Sequence, residues 1–308
     1  MSGGASGAGR LRVFAPAKLN LGLEVHRRRP DGYHEIETLF QTLDWGDRLE
    51  FSKASNHNDL RLAIQGLPLE DGPENSVRRA HALLAQARPG AMGGTRVLLD
   101  KRIPLGAGLG GGSSDAAAAL LALNRLWNLG LSDEELAAMA LALGSDVPFF
   151  LQGGTAIGRG RGERLEPLPP LRRGAFLLVN PGFTVATAWA YEHLRLGLTG
   201  NPYRISLEQV KVYLARFPVP GMVLRNRLED VVYPAYPVLF DIVNALEGAG
   251  AVHAQMSGSG ATIFGTFPDR EAAGRAGALL APRWQTWVAG PRPQGIGFED
   301  SGGAESTG

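Results

Sequence analysis

Lys18 and Asp146 are the two side chains best suited to moving a phosphoryl group or a proton. Lys18 sits in the apolar setting Pro16-Ala17-Lys18-Leu19-Asn20, and Asp146 ends the polar step Gly144-Ser145-Asp146 ahead of Val147-Pro148-Phe149-Phe150. A carboxylate at a cleft position can accept the proton of an alcohol, a poor nucleophile until it is deprotonated. A nearby ammonium can keep that carboxylate ionised and offset negative charge on the reacting oxygens. Only four of the 31 basic residues are lysine, so a lysine in apolar surroundings stands out. Taken alone, each residue also has a plainer role, a turn or N-cap aspartate and a lysine snorkelling at a strand end.

A third feature is the run from Lys101 to Ser114: Lys101, Arg102, Ile103, Pro104, Leu105, Gly106, Ala107, Gly108, Leu109, Gly110, Gly111, Gly112, Ser113 and Ser114. Glycines without a Cβ let backbone N–H groups converge on an anion. An alanine- and leucine-rich helix predicted over 113–127 would add its positive end and free N–H groups, with Ser113 and Ser114 supplying hydroxyls. The plainer alternative is a flexible turn capping a core helix. Gly106, Gly108 and Gly111 match GxGxxG, but charged residues and Ile103-Pro104 separate them from the preceding strand. No acidic residue ends a second strand about 20 residues on, which a dinucleotide fold would require. No glycine precedes a lysine, so the GxxxxGK[ST] phosphate loop is absent, as are HRD and DFG.

With no cysteine, thiolate nucleophiles, disulfides and cysteine-bound metals are excluded. A net charge of +1 gives no support for a nucleic-acid partner. No apolar run reaches the roughly 20 residues that span a bilayer, and the start lacks a secretory segment. The expectation is a cytoplasmic protein with no membrane partner. Its oligomeric state, monomer or homodimer, is left open.

The elements that must position these residues read as α+β. Short strand-like segments fill 11–103, including 11–14, 19–25, 35–43 and 47–51, with a strong turn at 30–34. Helices are expected from Asn75 to Ala87, over 113–127, and over 132–143, where Ser132 and Glu135 form a capping box. The Pro- and Arg-rich stretch 163–174 reads as a domain boundary. Strand, helices, strand, loop, strand, helix and strand follow. The sequence thus predicts domains at 11–165 and 175–290, with tails at 1–10 and 291–308.

Residues 15–25, 103–117 and 256–262 resemble the three ordered motifs of the GHMP kinase superfamily. PAKLNL, the segment 29–47, the whole glycine–serine block and 143–156 are similar to its 4-diphosphocytidyl-2-C-methyl-D-erythritol kinase family, from about Leu11 to Phe267. The resemblance implies a two-domain GHMP kinase fold: a ribosomal-protein-S5-like α/β domain followed by a ferredoxin-like domain. It also implies ATP with Mg²⁺, and phosphorylation of the 2-hydroxyl of 4-diphosphocytidyl-2-C-methyl-D-erythritol in non-mevalonate isopentenyl diphosphate synthesis. Lys18 and Asp146 then fall on the catalytic pair. Lys101 and Pro104 to Ser114 fall on the nucleotide site. Asn20, Tyr33, His34, Asp146, Thr184 and Gly258 fall on the substrate side, with Thr187, Gly260, Ser257 and Ser259 nearby. Tyr33 would stack on the pyrimidine, and His34 would bond its edge or the ribose. No protein ligand of the metal is identified. A related kinase acting on another alcohol, and a catalytically inactive nucleotide-binding regulator, are the competing readings.

Overall fold

The computed structural model describes residues 10–54, 59–195, 205–218 and 224–299. Two long antiparallel strands frame the first domain, β1 (Arg10–Arg28) and β2 (His34–Lys53). Their turn is held by the Tyr33 backbone N–H donating to Asp31 Oδ1 at 3.1 Å. Segments 11–14 and 19–25, expected as separate strands, are one, and so are 35–43 and 47–51. Register shifts at Pro16/Lys18, Asn20/Gly22 and Val25/Arg27 accommodate the residues that read as breaks.

The domain continues with β3 (Leu60–Gly66), α1 (Ser76–Ala87), β4 (Thr95–Lys101), α2 (Gly111–Trp127), α3 (Asp133–Leu143), α4 (Val147–Gln152), β5 (Thr155–Gly160) and β6 (Arg164–Leu168). Asn75 caps α1 through Val77 N, and Ser132 and Glu135 form the expected capping box on α3. Helix α2 starts two residues earlier than expected and buries residues 116–120 completely or nearly so, as its Ala/Leu composition requires.

The second domain holds β7 (Ala175–Asn180), α5 (Thr187–His193), α6 (Leu207–Arg216), α7 (Glu229–Ala235), α8 (Val238–Gly248), β8 (His253–Met256), β9 (Ile263–Phe267), α9 (Arg270–Leu280) and β10 (Gln285–Ala289). Its antiparallel sheet runs β10-β7-β9-β8, the fourth-first-third-second order of a ferredoxin-like unit. A last strand, β11 (Gly297–Glu299), returns to the first domain and pairs with β1, giving a seven-stranded sheet there.

Two expected boundaries are corrected. Strand β6 pairs with β5, so the first domain runs to Leu168 and the link is 169–174. The stretch 291–299 is not a tail: Thr42 Oγ1 donates to Arg292 O at 2.9 Å, and Ile296 N donates to Phe150 O at 3.1 Å. Arg10 already belongs to β1. The remaining tail residues, 1–9 and 300–308, lie outside the described residues. An apolar cluster joins the domains, with Leu19, Leu21 and Leu39 against Phe176, Leu178 and Phe264. Among the described residues no helix is long and apolar enough to cross a membrane.

Candidate active site

Side chains alternate along a strand, so while Leu19 and Leu21 pack into the domain interface, Lys18 and Asn20 face the other way. The bulges at both positions aim them into a cleft of about 950 Å³. Lys18 is 4% exposed. Its ammonium donates to Asn20 Oδ1 and, at 3.0 Å, to Gly108 O, and lies 3.5 Å from Asp146 Oδ2. Burial lowers its pKa, and the Asp146 charge and hydrogen bond resist that fall. Asp146 occupies the N-cap position of α4 but makes no capping bond, which leaves its carboxylate free to face Lys18.

The Asn20 amide has one possible orientation. Thr38 Oγ1 spends its proton on Gly22 O at 2.7 Å, so toward Asn20 it can only accept. It accepts from Asn20 Nδ2 at 2.8 Å, which turns Oδ1 to Lys18. Sequence reasoning missed Thr38; the alternation of β2 relative to β1 was its only trace.

Opposite the pair lies the glycine loop. Gly106, Gly108 and Gly110 all have positive φ, at 56°, 77° and 72°. A Cβ on Gly108 would lie 2.0 Å from Ser257 O, and one on Gly110 2.7 Å from the Phe150 ring. Only glycine permits this approach. Gly110 is also the N-cap of α2 and offers no side chain, so the first N–H groups of that helix are left for a ligand. The cleft wall includes Pro104 to Gly108, Gly110 to Gly112, and Ser113.

Two expected nucleotide contacts, Leu109 and Ser114, are corrected, and a third, Lys101, is paired within the protein. Leu109 is 1% exposed and packs in the interdomain cluster. Ser114 is fully buried, its hydroxyl unpartnered among the described residues. Lys101 lies beneath the loop with a fully buried side chain, donating to Asp47 Oδ2 and Asp115 Oδ2, both at 2.6 Å. Its ammonium is paired with two carboxylates, and Lys101 also lines both the cleft and the smaller recess beside it.

The far end of the cleft is aromatic and basic. His34 stacks on Tyr191 with centroids 5.1 Å apart, and the Arg161 guanidinium lies 4.3 Å from the Tyr33 ring centroid. Burial and the nearby Arg28 charge lower the His34 pKa, which favours the neutral ring. Thr187 Oγ1 lies 2.8 Å from Ser259 Oγ, and Gly258 approaches Asn20 and Lys18. Thr184 stands against Gly106 and does not reach the cleft wall. Tyr191 was missed; it lies four residues after Thr187 on α5, one turn along the same face. Arg28, Arg79 and Arg161 border the cleft, a distribution suited to polyphosphates.

The glycine cradle fits a nucleotide triphosphate. Among the described residues no group of three or more His, Asp or Glu could hold a metal ion by itself, and magnesium carried on a triphosphate needs only about one or two protein oxygens beside those of the phosphates. Asp47 and Asp115 are bound to Lys101, whereas Asp146 faces the cleft.

Residues 75–154 match the model of the GHMP kinases N terminal domain, and residues 211–280 that of GHMP kinases C terminal. The chain is 45% identical over 273 residues to 4-diphosphocytidyl-2-C-methyl-D-erythritol kinase of Pelotomaculum thermopropionicum, covering 87% of this chain and 93% of that one. It is 44% identical over 277 residues to the Moorella thermoacetica protein of the same name, covering 88% and 94%. A crystal structure of 4-(cytidine 5'-diphospho)-2C-methyl-D-erythritol kinase superposes with a TM-score of 0.79 at 40% identity, covering 90% of this chain and 98% of the other. Two matched domains, a glycine cradle and whole-length likeness agree, and the chain belongs to the 4-diphosphocytidyl-2-C-methyl-D-erythritol kinase family within the GHMP kinases.

Proposed function

We propose that the chain transfers the γ-phosphoryl group of ATP to the 2-hydroxyl of 4-diphosphocytidyl-2-C-methyl-D-erythritol, giving the 2-phosphate and ADP. The observation that carries this reading is the Lys18–Asp146 pair, 3.5 Å apart, facing a cradle of left-handed glycines. The triphosphate lies along Gly106 to Ser113 at the positive end of α2. The nucleoside extends into a second recess of about 300 Å³, which shares Ser76, Lys101, Leu105 and Gly112 with the main cleft. Magnesium, arriving on the phosphates, supplies charge neutralisation.

Asp146 accepts the proton as the substrate oxygen bonds to the γ-phosphorus and the bond to the β–γ bridging oxygen breaks. Lys18 pairs with Asp146 and offsets charge on the transferring group, and Asn20 holds the ammonium in place. Tyr33, His34 and Tyr191 bind the cytidine end, and Thr187 and Gly258 border the diphosphate. The test is turnover of the diphosphocytidyl substrate against homoserine, mevalonate and galactose; only the first is phosphorylated appreciably. In Asp146→Asn, kcat falls at least about a hundredfold, within the range for a general base, while ATP still binds. Near-native turnover in that variant overturns the base assignment.

A further inference from the structure

The loop Ser257–Gly260 belongs to the second domain, yet its inner surface meets Lys18 and Asn20 of the first. Ser257 makes the crossing. Its hydroxyl donates to Gly108 O at 2.8 Å and accepts from the Asn20 backbone N–H at 3.2 Å. Gly258 follows so closely that a Cβ there would lie 3.1 Å from Asn20 Oδ1 and 3.4 Å from Lys18 Nζ. A shift of this loop therefore displaces the ammonium, the amide that holds it and the phosphate cradle together.

Asn226 grips that loop from behind. It is fully buried, and its Nδ2 donates to Met256 O and to Gly258 O, both at 2.8 Å, the carbonyls on either side of Ser257. Its Oδ1 accepts from Leu228 N at 3.0 Å. The backbone around it is docked on β1: Leu23 N donates to Arg225 O at 2.8 Å, and Arg227 N donates to Leu23 O at 2.7 Å. Leu23 is three residues beyond Asn20 on the same strand. Glu229 adds a second hold, accepting from Met256 N at 2.8 Å. Two donors and one acceptor at this length are what an asparagine supplies. Aspartate would set an oxygen against two carbonyls.

We propose that Asn226 is a positioning residue for phosphoryl transfer. It spans the strand that carries Lys18 and Asn20 and the loop that carries Ser257 and Gly258, and it fixes their separation across the domain junction. The inference deepens the kinase reading and rests on Lys18 and Asp146 as the reacting pair.

The test compares Asn226→Asp, Asn226→Ser, Leu239→Ala and Asp146→Asn in the full chain, reading kcat, both KM values, nucleotide affinity and Tm. Leu239 is buried in the second domain's core and does not line the cleft, so Leu239→Ala serves as the control for destabilisation. Assayed well below each Tm, Asn226→Asp loses about ten- to a hundredfold in kcat while nucleotide Kd moves less than about threefold. Asn226→Ser keeps one donor, shows a smaller loss of the same kind, and carries the test where the Asp variant fails to fold. A kcat no lower than that of Leu239→Ala, or a loss confined to KM, overturns the proposal. If the wild type phosphorylates no diphosphocytidyl substrate, the kinase reading fails first; if Asp146→Asn retains turnover, the reacting pair on which the inference rests is wrong. If Asp146→Asn is inactive and the Asn226 variants are not, the positioning role alone falls.

Discussion

At Lys101, two carboxylates face one ammonium in a site closed to solvent. Asp47 also accepts from the backbone N–H groups of Arg102, at 2.6 Å, and Ile103, at 2.9 Å, whereas Asp115 Oδ1 has no partner among the described residues. Asp115 is therefore the carboxylate that titrates. Burial pushes it up to about 7; Lys101 opposes that rise and the Asp47 charge adds to it. A carboxyl with a raised pKa in the folded chain holds a proton that the unfolded chain has released. Stability from Asp115 is thus present at acid pH and is lost as pH climbs from about 4 to about 7. Glu229, raised to about 7 mainly by its own burial, slopes the same way. The difference between wild type and Asp115→Asn isolates Asp115: from pH 5 to pH 8, calorimetric Tm of the wild type falls relative to that of the variant. Lys18 and Asp146 were legible because their neighbours are distinctive. Lys101 was legible as the lysine ahead of the loop, but its pairing was not. The carboxylates that claim it come from residues 47 and 115, and no sequence spacing reveals their convergence.

At the scale of elements, the phosphate loop and α2 were plain in the sequence, since glycines followed by an unbroken Ala/Leu run admit few other structures. The continuity of β1 and β2 was hidden because Pro16 and, opposite it, Gly46 read as breaks. In the sheet they flank a bulge, and that bulge and the next, at Asn20/Gly22, aim Lys18 and Asn20. Within the loop, glycine content alone does not rank positions; backbone angle and clearance do. Gly108 combines a φ of 77° with an oxygen 2.0 Å from any added Cβ, whereas an added Cβ on Gly112 would meet only Ser76 Oγ, at 3.1 Å. Gly108→Ala is expected to lose about 1–3 kcal/mol of stability from the backbone conformation alone, and most activity with it. Gly112→Ala keeps the fold and raises KM for ATP modestly. Chemical denaturation and steady-state kinetics on the two variants check the ranking, which reverses if clearance is irrelevant.

At the scale of the whole molecule, the C-terminal stretch was the largest misreading. Gly-Ile-Gly-Phe-Glu has the composition of a loose end, and its partners lie more than 250 residues away: Arg12 opposite Glu299 and Phe14 opposite Gly297. On the way it supports α4, with Gly295 N donating to Gln152 O at 3.2 Å, and so it braces the helix whose N-cap position is Asp146. Truncation after Gly290 is expected to lower Tm by about 5 °C or more and to reduce kcat further than the lost stability explains; unchanged kcat would show that α4 stands without it. The return of β11 to β1 also changes what the second domain is. It is an insertion in the first, entered through 169–174 and left near Gly290, while strands close to the two chain ends lie side by side in one sheet. A body hung from two cords cannot swivel freely as one hung from a single hinge can. Any opening of the cleft must turn about the line joining those two crossings.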